Sequence, residues 1–258
     1  MAQGDLVIFP RRAVFEGNQR MLELNLANTG QDTARYVISF VQIRMKENGE
    51  FENITQPDSG QRFADSFIRF FPRTVILAPN EAQLLKLQLI RTNLLEPGEY
   101  RSHLYFRSIP EQKPLALMDK DSVKDSTAIS VSLVPIFGIT IPVIIRVGES
   151  TTNVTLSDLT FEMINDTIPT VKMVINRTGN MSVYGDIKVE YISPQGRVTQ
   201  VGVVQGVAVY TPNLKRSITT RLKNLSSIDY RHGKLQIVYT AQREDKNAEY
   251  AEAELQMK

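Results

Sequence analysis

From Ile129 to Ile145 every odd-numbered residue is apolar: Ile129, Val131, Leu133, Pro135, Phe137, Ile139, Ile141, Val143 and Ile145. The even-numbered partners begin polar, with Ser130 and Ser132, become mixed through Val134, Ile136, Gly138, Thr140, Pro142 and Ile144, and end at Arg146. Strict alternation marks a β-strand with one buried face, because successive side chains point to opposite sides. The run is seventeen residues long, about three times the usual strand. A single small domain seldom has a core deep enough for such a row. Two readings follow: a core strand that continues between domains, or a strand part of which is offered to another protein's sheet. In the second, main-chain hydrogen bonds give affinity and alternate side chains fill pockets. Pro135 inside the row fits an edge position, because proline cannot donate to a ladder.

The length of 258 residues suits two domains better than one. A hydrophobic fraction of 42% supplies a core, and a net charge of +2 without a long basic block argues against nucleic-acid binding. Ser, Thr, Gly and Pro interrupt the apolar run, so no stretch reaches the roughly 18 uninterrupted residues of a membrane helix. There is no Cys, which removes disulfides, thiolate catalysis and Cys–zinc sites. The opening Met1-Ala2-Gln3-Gly4-Asp5 lacks the regions of a signal peptide. It reads either as a cytoplasmic start or as an initiator Met on a chain whose signal has been removed.

Short strands punctuated by turn residues fill the first half: Arg12–Phe15, Arg20–Ala27, Arg35–Met45, Phe67–Phe71, Thr74–Leu77, Ala82–Arg91 and Tyr100–Arg107. Leu22, Leu24 and Leu26 alternate with Glu23, Asn25 and Ala27, and Val37, Ser39, Val41, Ile43 and Met45 are expected to share a face. Lys46–Arg62 reads as a polar loop, and Ile109–Thr127, rich in charge and carrying Pro110 and Pro114, as a long one. Val147-Gly148-Glu149-Ser150 is the expected junction, giving domains 1–147 and 148–258. Beyond it come Asn153–Phe161, Thr170–Asn176, Ser182–Tyr191, Val207–Tyr210, Lys215–Leu222, Lys234–Ala241 and Glu249–Met257. Tyr100 and Tyr230 each precede or open a late strand, the place of the tyrosine corner in immunoglobulin-like sandwiches. The fold class is therefore all-β, with two tandem β-sandwiches.

Little in the sequence points to catalysis. His103 and His232 are the two histidines, fewer than a zinc site usually takes. No Gly-rich phosphate loop or nucleophile elbow is present. No catalytic residue, metal, cofactor or small-molecule substrate is expected. Asn53, Asn153, Asn165, Asn176, Asn180 and Asn224 stand in Asn-x-Ser/Thr triplets, which here read as turn chemistry rather than glycosylation. Arg12 opens a strand ahead of Ala13-Val14-Phe15, where a guanidinium is suited to bidentate capture of a carboxylate.

Three segments resemble the periplasmic pilus-assembly chaperones of the PapD type. Arg12-Ala13-Val14-Phe15-Glu16-Gly17 resembles the family's first-strand motif. Phe70-Phe71-Pro72-Arg73 with Val75-Ile76-Leu77-Ala78-Pro79 resembles its central turn. Gly98-Glu99-Tyr100-Arg101-Ser102-His103-Leu104 with Ile139–Arg146 resembles the strands that close its first domain. The likeness spans most of residues 6–148 and lies in the order and spacing of the motifs.

The resemblance implies two immunoglobulin-like sandwiches in a boomerang around a cleft, located in the periplasm. It also implies a chaperone that lends a strand to pilus or fimbrial subunits, which lack one of their own, and passes them to an outer-membrane usher. On this reading Ile129, Val131, Leu133, Pro135 and Phe137 form the donor strand. Arg12 anchors the subunit's terminal carboxylate, and Arg146 is a candidate interdomain residue. An empty chaperone with a sticky row is further expected to cap itself as a homodimer.

Two departures stand out. The family pairs its arginine with a lysine, where this chain has Pro142, and its long-loop branch uses a disulfide that a chain without Cys lacks. The alternative function is a two-domain structural or adhesive module whose long row is core. A hydrolase working through His103 or His232 is the third.

Overall fold

The computed structural model describes residues 6–110, 136–226, 228–242 and 249–257. Ile129, Val131, Leu133 and Pro135 of the expected donor row lie outside those residues, as does most of the 109–127 loop. Regular structure in the described chain is β-strand, apart from single 3-10 turns at Asp65–Phe67 and Thr92–Leu94. Two compact units form. The first takes in the described parts of Met1–Val41, Phe63–Leu95 and Arg101–Ile145, the second those of Gln42–Arg62, Glu96–Tyr100 and Arg146–Lys258.

The first eleven strands are β1 (Leu6–Phe9), β2 (Ala13–Phe15), β3 (Met21–Asn28), β4 (Ala34–Val41), β5 (Ile43–Met45), β6 (Phe51–Asn53), β7 (Ile68–Phe71), β8 (Thr74–Leu77), β9 (Ala82–Leu89), β10 (Gly98–Ser108) and β11 (Gly138–Val147). In the first unit one sheet runs β1-β3-β9-β7 and the other β2-β11-β10-β4-β8. Lettered in chain order, these are A-B-E-D and A′-G-F-C with an extra edge strand, the two sheets of an immunoglobulin constant-type sandwich. Alternation builds the core between them. Leu24 of β3 pairs with Leu85 of β9, and both are fully buried, as are Leu26, Leu87, Leu77, Leu104, Phe106 and Val143.

A buried Asn fixes the end of β3. Asn28 donates from Nδ2 to the carbonyls of Asp32, Leu77 and Ala78 at 2.8, 3.0 and 3.2 Å, and accepts from Gly30 N–H at 3.0 Å. Asn28→Ala would strand several of these groups in a dry corner and is expected to cost about 2–3 kcal/mol. Urea denaturation checks this, and a loss under about 0.5 kcal/mol would overturn it.

The second unit has β12 (Asn153–Ile164), β13 (Ile168–Thr178), β14 (Val183–Ile192), β15 (Val198–Val209), β16 (Lys215–Arg221), β17 (Lys234–Ala241) and β18 (Glu249–Gln256). Its sheets run β12-β13-β16 and β15-β14-β17-β18, or A-B-E against C′-C-F-G. Val171, Met173 and Ile175 face Ile187, Val189, Leu235, Ile237 and Tyr239 in one cluster. The hairpin β5–β6 belongs to this unit. Asn213 donates to the Met45 carbonyl at 2.6 Å, and Ser217 N–H to that of Glu47 at 2.7 Å.

Both tyrosine-corner expectations match the structure. Tyr100 Oη accepts from Glu96 N–H at 2.9 Å, and Tyr230 Oη donates to the Lys223 carbonyl at 2.7 Å, each reaching back before its strand. Several of the Asn triplets do turn and ladder work: Asn176 donates to Ser157 Oγ, Asn180 to the Glu149 carbonyl and Asn224 to that of Thr167.

Some expectations need correction. Val37, Ser39, Val41, Ile43 and Met45 do not share one core face: in β4 the buried residues are Ala34, Tyr36 and Ile38, and a break at Gln42 separates the buried Ile43 and Met45. Apolar side chains occupy both faces of this stretch, so the pattern alone left the register ambiguous. The Lys46–Arg62 loop contains β6, paired with β5. Strand β1 was not foreseen, and β15 begins at Val198, well before the expected Val207.

Candidate functional site

The chain crosses from one sheet to the other at Pro10-Arg11-Arg12, so that β1 pairs with β3 while β2 pairs in parallel with β11. The parallel register joins Ala13 to Val143, Val14 to Ile144 and Phe15 to Ile145. Arg12 and Pro142 each stand one residue ahead of the first pair of this ladder, and both are half-buried. The arginine and the proline singled out from the sequence thus adjoin the same end of one ladder.

That register ends where β11 has further to run. Val143, Ile144 and Ile145 have β2 on one side and β10 on the other, and all three are buried. Gly138–Pro142 has β10 on one side and, among the described residues, no strand on the other. Its backbone polarity follows from the next residue upstream. Phe137 N–H donates to Ser108 Oγ and its carbonyl accepts from Ser108 N–H, both at 2.9 Å, so its peptide groups face β10. Peptide groups alternate sides along a strand. Gly138 and Thr140 therefore turn both donor and acceptor to the open side, and Pro142 turns only a carbonyl. The open stretch ends in a residue with no donor to leave unpaired.

Side chains along the run go from exposed at its start to buried at its end, on both faces at Ile144 and Ile145. Ile141, Val143 and Ile145 enter the core, while Ile136 and Phe137 are about half exposed, at 54% and 51%. The run carries no charge between Ile136 and Ile145, although charged residues are a common guard on exposed strand edges.

On the outer face of the same sheet, β10 grades from buried to exposed: Arg101 and His103 are buried, Tyr105 is half-buried and Arg107 is exposed. Burial, assisted by the charge of Arg101, pushes the His103 imidazole down to about 3. His103 is therefore neutral and enclosed at physiological pH. His232 is exposed, with Nε2 3.9 Å from Asp229 Oδ2. Among the described residues, no group of three or more His, Cys, Asp or Glu is arranged to hold a metal ion. No helix among them is long and apolar enough to cross a membrane.

Arg146 is held within the second unit. Its Nε donates to Glu99 Oε2 at 3.2 Å and its Nη2 to the Ser182 carbonyl at 2.7 Å. Glu99 is enclosed and also accepts from Ser182 N–H and Oγ, at 2.9 and 2.7 Å, and from Thr211 Oγ1 at 3.3 Å. Sequence reasoning missed Glu99 because its partners are 47, 83 and 112 residues away. It also missed Tyr105 and Gly138, whose relation appears only once β10 and β11 are neighbours. A glycine opening an otherwise apolar alternating strand was the available signal.

No family model and no curated protein matches the sequence. Solved structures similar to it include several chaperones. The YadV chaperone is 12% identical, with 98% of this chain and 100% of that one covered and a TM-score of 0.47. The Pseudomonas aeruginosa CupB2 chaperone is 12% identical over 98% and 100%, with a TM-score of 0.44. The E. coli chaperone DraB is 11% identical over 100% and 98%, with a TM-score of 0.42.

Proposed function

We propose that this chain is a periplasmic chaperone that caps pilus or fimbrial subunits by adding the open edge of β11 to their incomplete sheet. The observation that carries the reading is the half-paired strand: Val143–Ile145 has neighbours on both sides and Gly138–Pro142 on one. An unpaired, uncharged edge templates aggregation unless something covers it. A subunit with a missing strand has the complementary defect, and pairing the two removes both.

In this mechanism the subunit strand takes its main-chain hydrogen bonds from Gly138 and Thr140. Phe137 and the upstream Pro135, Leu133, Val131 and Ile129 enter the subunit's groove. Arg12, just ahead of β2, receives the subunit's terminal carboxylate and sets the register of the added strand. A single arginine suffices for bidentate capture, which makes the missing lysine tolerable. The capped subunit then passes to an outer-membrane usher, and an unloaded copy pairs its open edge with that of a second copy. The motif resemblance over residues 6–148 supports the choice of client.

The test is the native mass of the protein isolated from its host's periplasm, beside Arg12→Ala. The expected species is a one-to-one complex with a small β-rich subunit, weakened roughly tenfold to a hundredfold in the variant, as the loss of charge-assisted hydrogen bonds implies. A lone monomer in both preparations would reject capping. Leu133→Asp with Phe137→Asp separates the structural reading: a chaperone stays folded and client-free, whereas a row made for core unfolds.

A further inference from the structure

Tyr105 stands on β10 opposite Ser39 of β4, and its ring lies across the neighbouring strand. A Cβ added to Gly138 would fall 2.2 Å from the Tyr105 Cε2, 2.5 Å from its hydroxyl and 2.7 Å from Cζ. A side chain there would have to displace the ring. Gly138 is not among the residues with positive φ, so its backbone does not require glycine. The space does. An aromatic ring laid over a cross-strand glycine is a known device for stiffening a sheet edge. Here the glycine is also the first residue of the open stretch of β11.

The hydroxyl distinguishes this pair from a packing contact. The Tyr105 Oη reaches over β11, and in this half-buried residue it makes no hydrogen bond among the described residues. It is therefore carried past its own strand, toward the side from which a further strand would add. That strand would lie one spacing, about 4.8 Å, farther out. Above the sheet face, the phenol would meet side chains rather than peptide groups.

We propose that Tyr105 is a specificity contact for the added client strand. Its hydroxyl donates to an acceptor oxygen on a client side chain (Ser, Thr, Asn, Gln or a carboxylate) on the same face of the sheet. Gly138 is the gap that lets it reach. This rests on the capping reading and adds to it a polar position in an otherwise apolar client strand.

The test measures the dissociation constant of the complex with the co-purified client for the wild type, Tyr105→Phe, Gly138→Ala and the double variant. Tyr105→Phe is expected to weaken binding about fivefold, the value of one hydrogen bond. Its urea midpoint should not move, because the hydroxyl holds nothing in the free protein. Gly138→Ala displaces the ring and is expected to weaken binding about tenfold or more. The double variant should be no worse than Gly138→Ala alone, since both remove one contact. Equal affinity in the wild type and both single variants overturns the role of Tyr105 while leaving capping intact. So does a urea midpoint that falls with Tyr105→Phe in step with binding. A wild-type protein that holds no client overturns both.

Discussion

Replacing Glu99 by alanine is expected to destabilise the second unit by about 3–5 kcal/mol, the cost of breaking a buried ion pair from one side. The carboxylate side chain is fully enclosed and that of Arg146 is 12% exposed. Its loss takes from the Arg146 guanidinium its carboxylate partner and strands the N–H and hydroxyl of Ser182. Ser182 is buried, so its stranded groups have no water to turn to. Arg146→Ala should be milder, because Glu99 would keep its bonds from Ser182 and Thr211. Glu99→Leu with Arg146→Met should recover part of the loss, since an apolar pair leaves no uncompensated charge. Chemical denaturation followed by far-ultraviolet circular dichroism reads all three. A cost below about 1 kcal/mol for Glu99→Ala would mean that water reaches the site and that the network is not structural.

The sequence announced the sandwiches more clearly than the contacts that hold them. Strand β17 was placed at its observed bounds, and Tyr100 and Tyr230 were read as corner residues because their distance from the following strand is a local property. The core side of β11 was equally legible: Ile141, Val143 and Ile145 follow a period of two whatever the neighbours are. Where apolar residues occupied both faces, as in Arg35–Met45, the same rule pointed to the wrong side of β4. The site was half legible. Arg12 is marked in the sequence as a charge opening a strand, but that it adjoins the same ladder end as Pro142 needed the parallel register of β2 and β11. Arg146 stands out in the sequence only through the resemblance and Glu99 not as a site at all, and their bond depends on which strands are neighbours. Tyr105 and Gly138 depend on it in the same way.

His103 should give the protein a stability that declines in mild acid. Its folded value is pushed down to about 3 from 6.5, first by burial and then by the positive charge of Arg101. In the unfolded chain the imidazole takes up a proton near its ordinary value, and in the folded chain it does not until about pH 3. The favoured folded form is neutral, so the contribution is fully present above pH 6.5 and is lost as pH falls toward 3. One proton of difference changes stability by about 1.4 kcal/mol per pH unit, or about 3 kcal/mol between pH 7 and pH 4. Carboxylates also weaken folded proteins in acid, so the diagnostic quantity is a difference. His103→Gln, neutral at every pH, should lose the slope between pH 6.5 and 4.5, where the wild type keeps it. A chain with two histidines permits a direct check. Proton resonances of the His103 ring should not titrate between pH 8 and pH 4, with exposed His232 supplying the other set. A midpoint for His103 between pH 6 and 7 would show that the imidazole is hydrated in the folded protein. The outer face of β10 would then be wet at His103, and the buried end of the gradient from Arg101 to Arg107 would have to be redrawn.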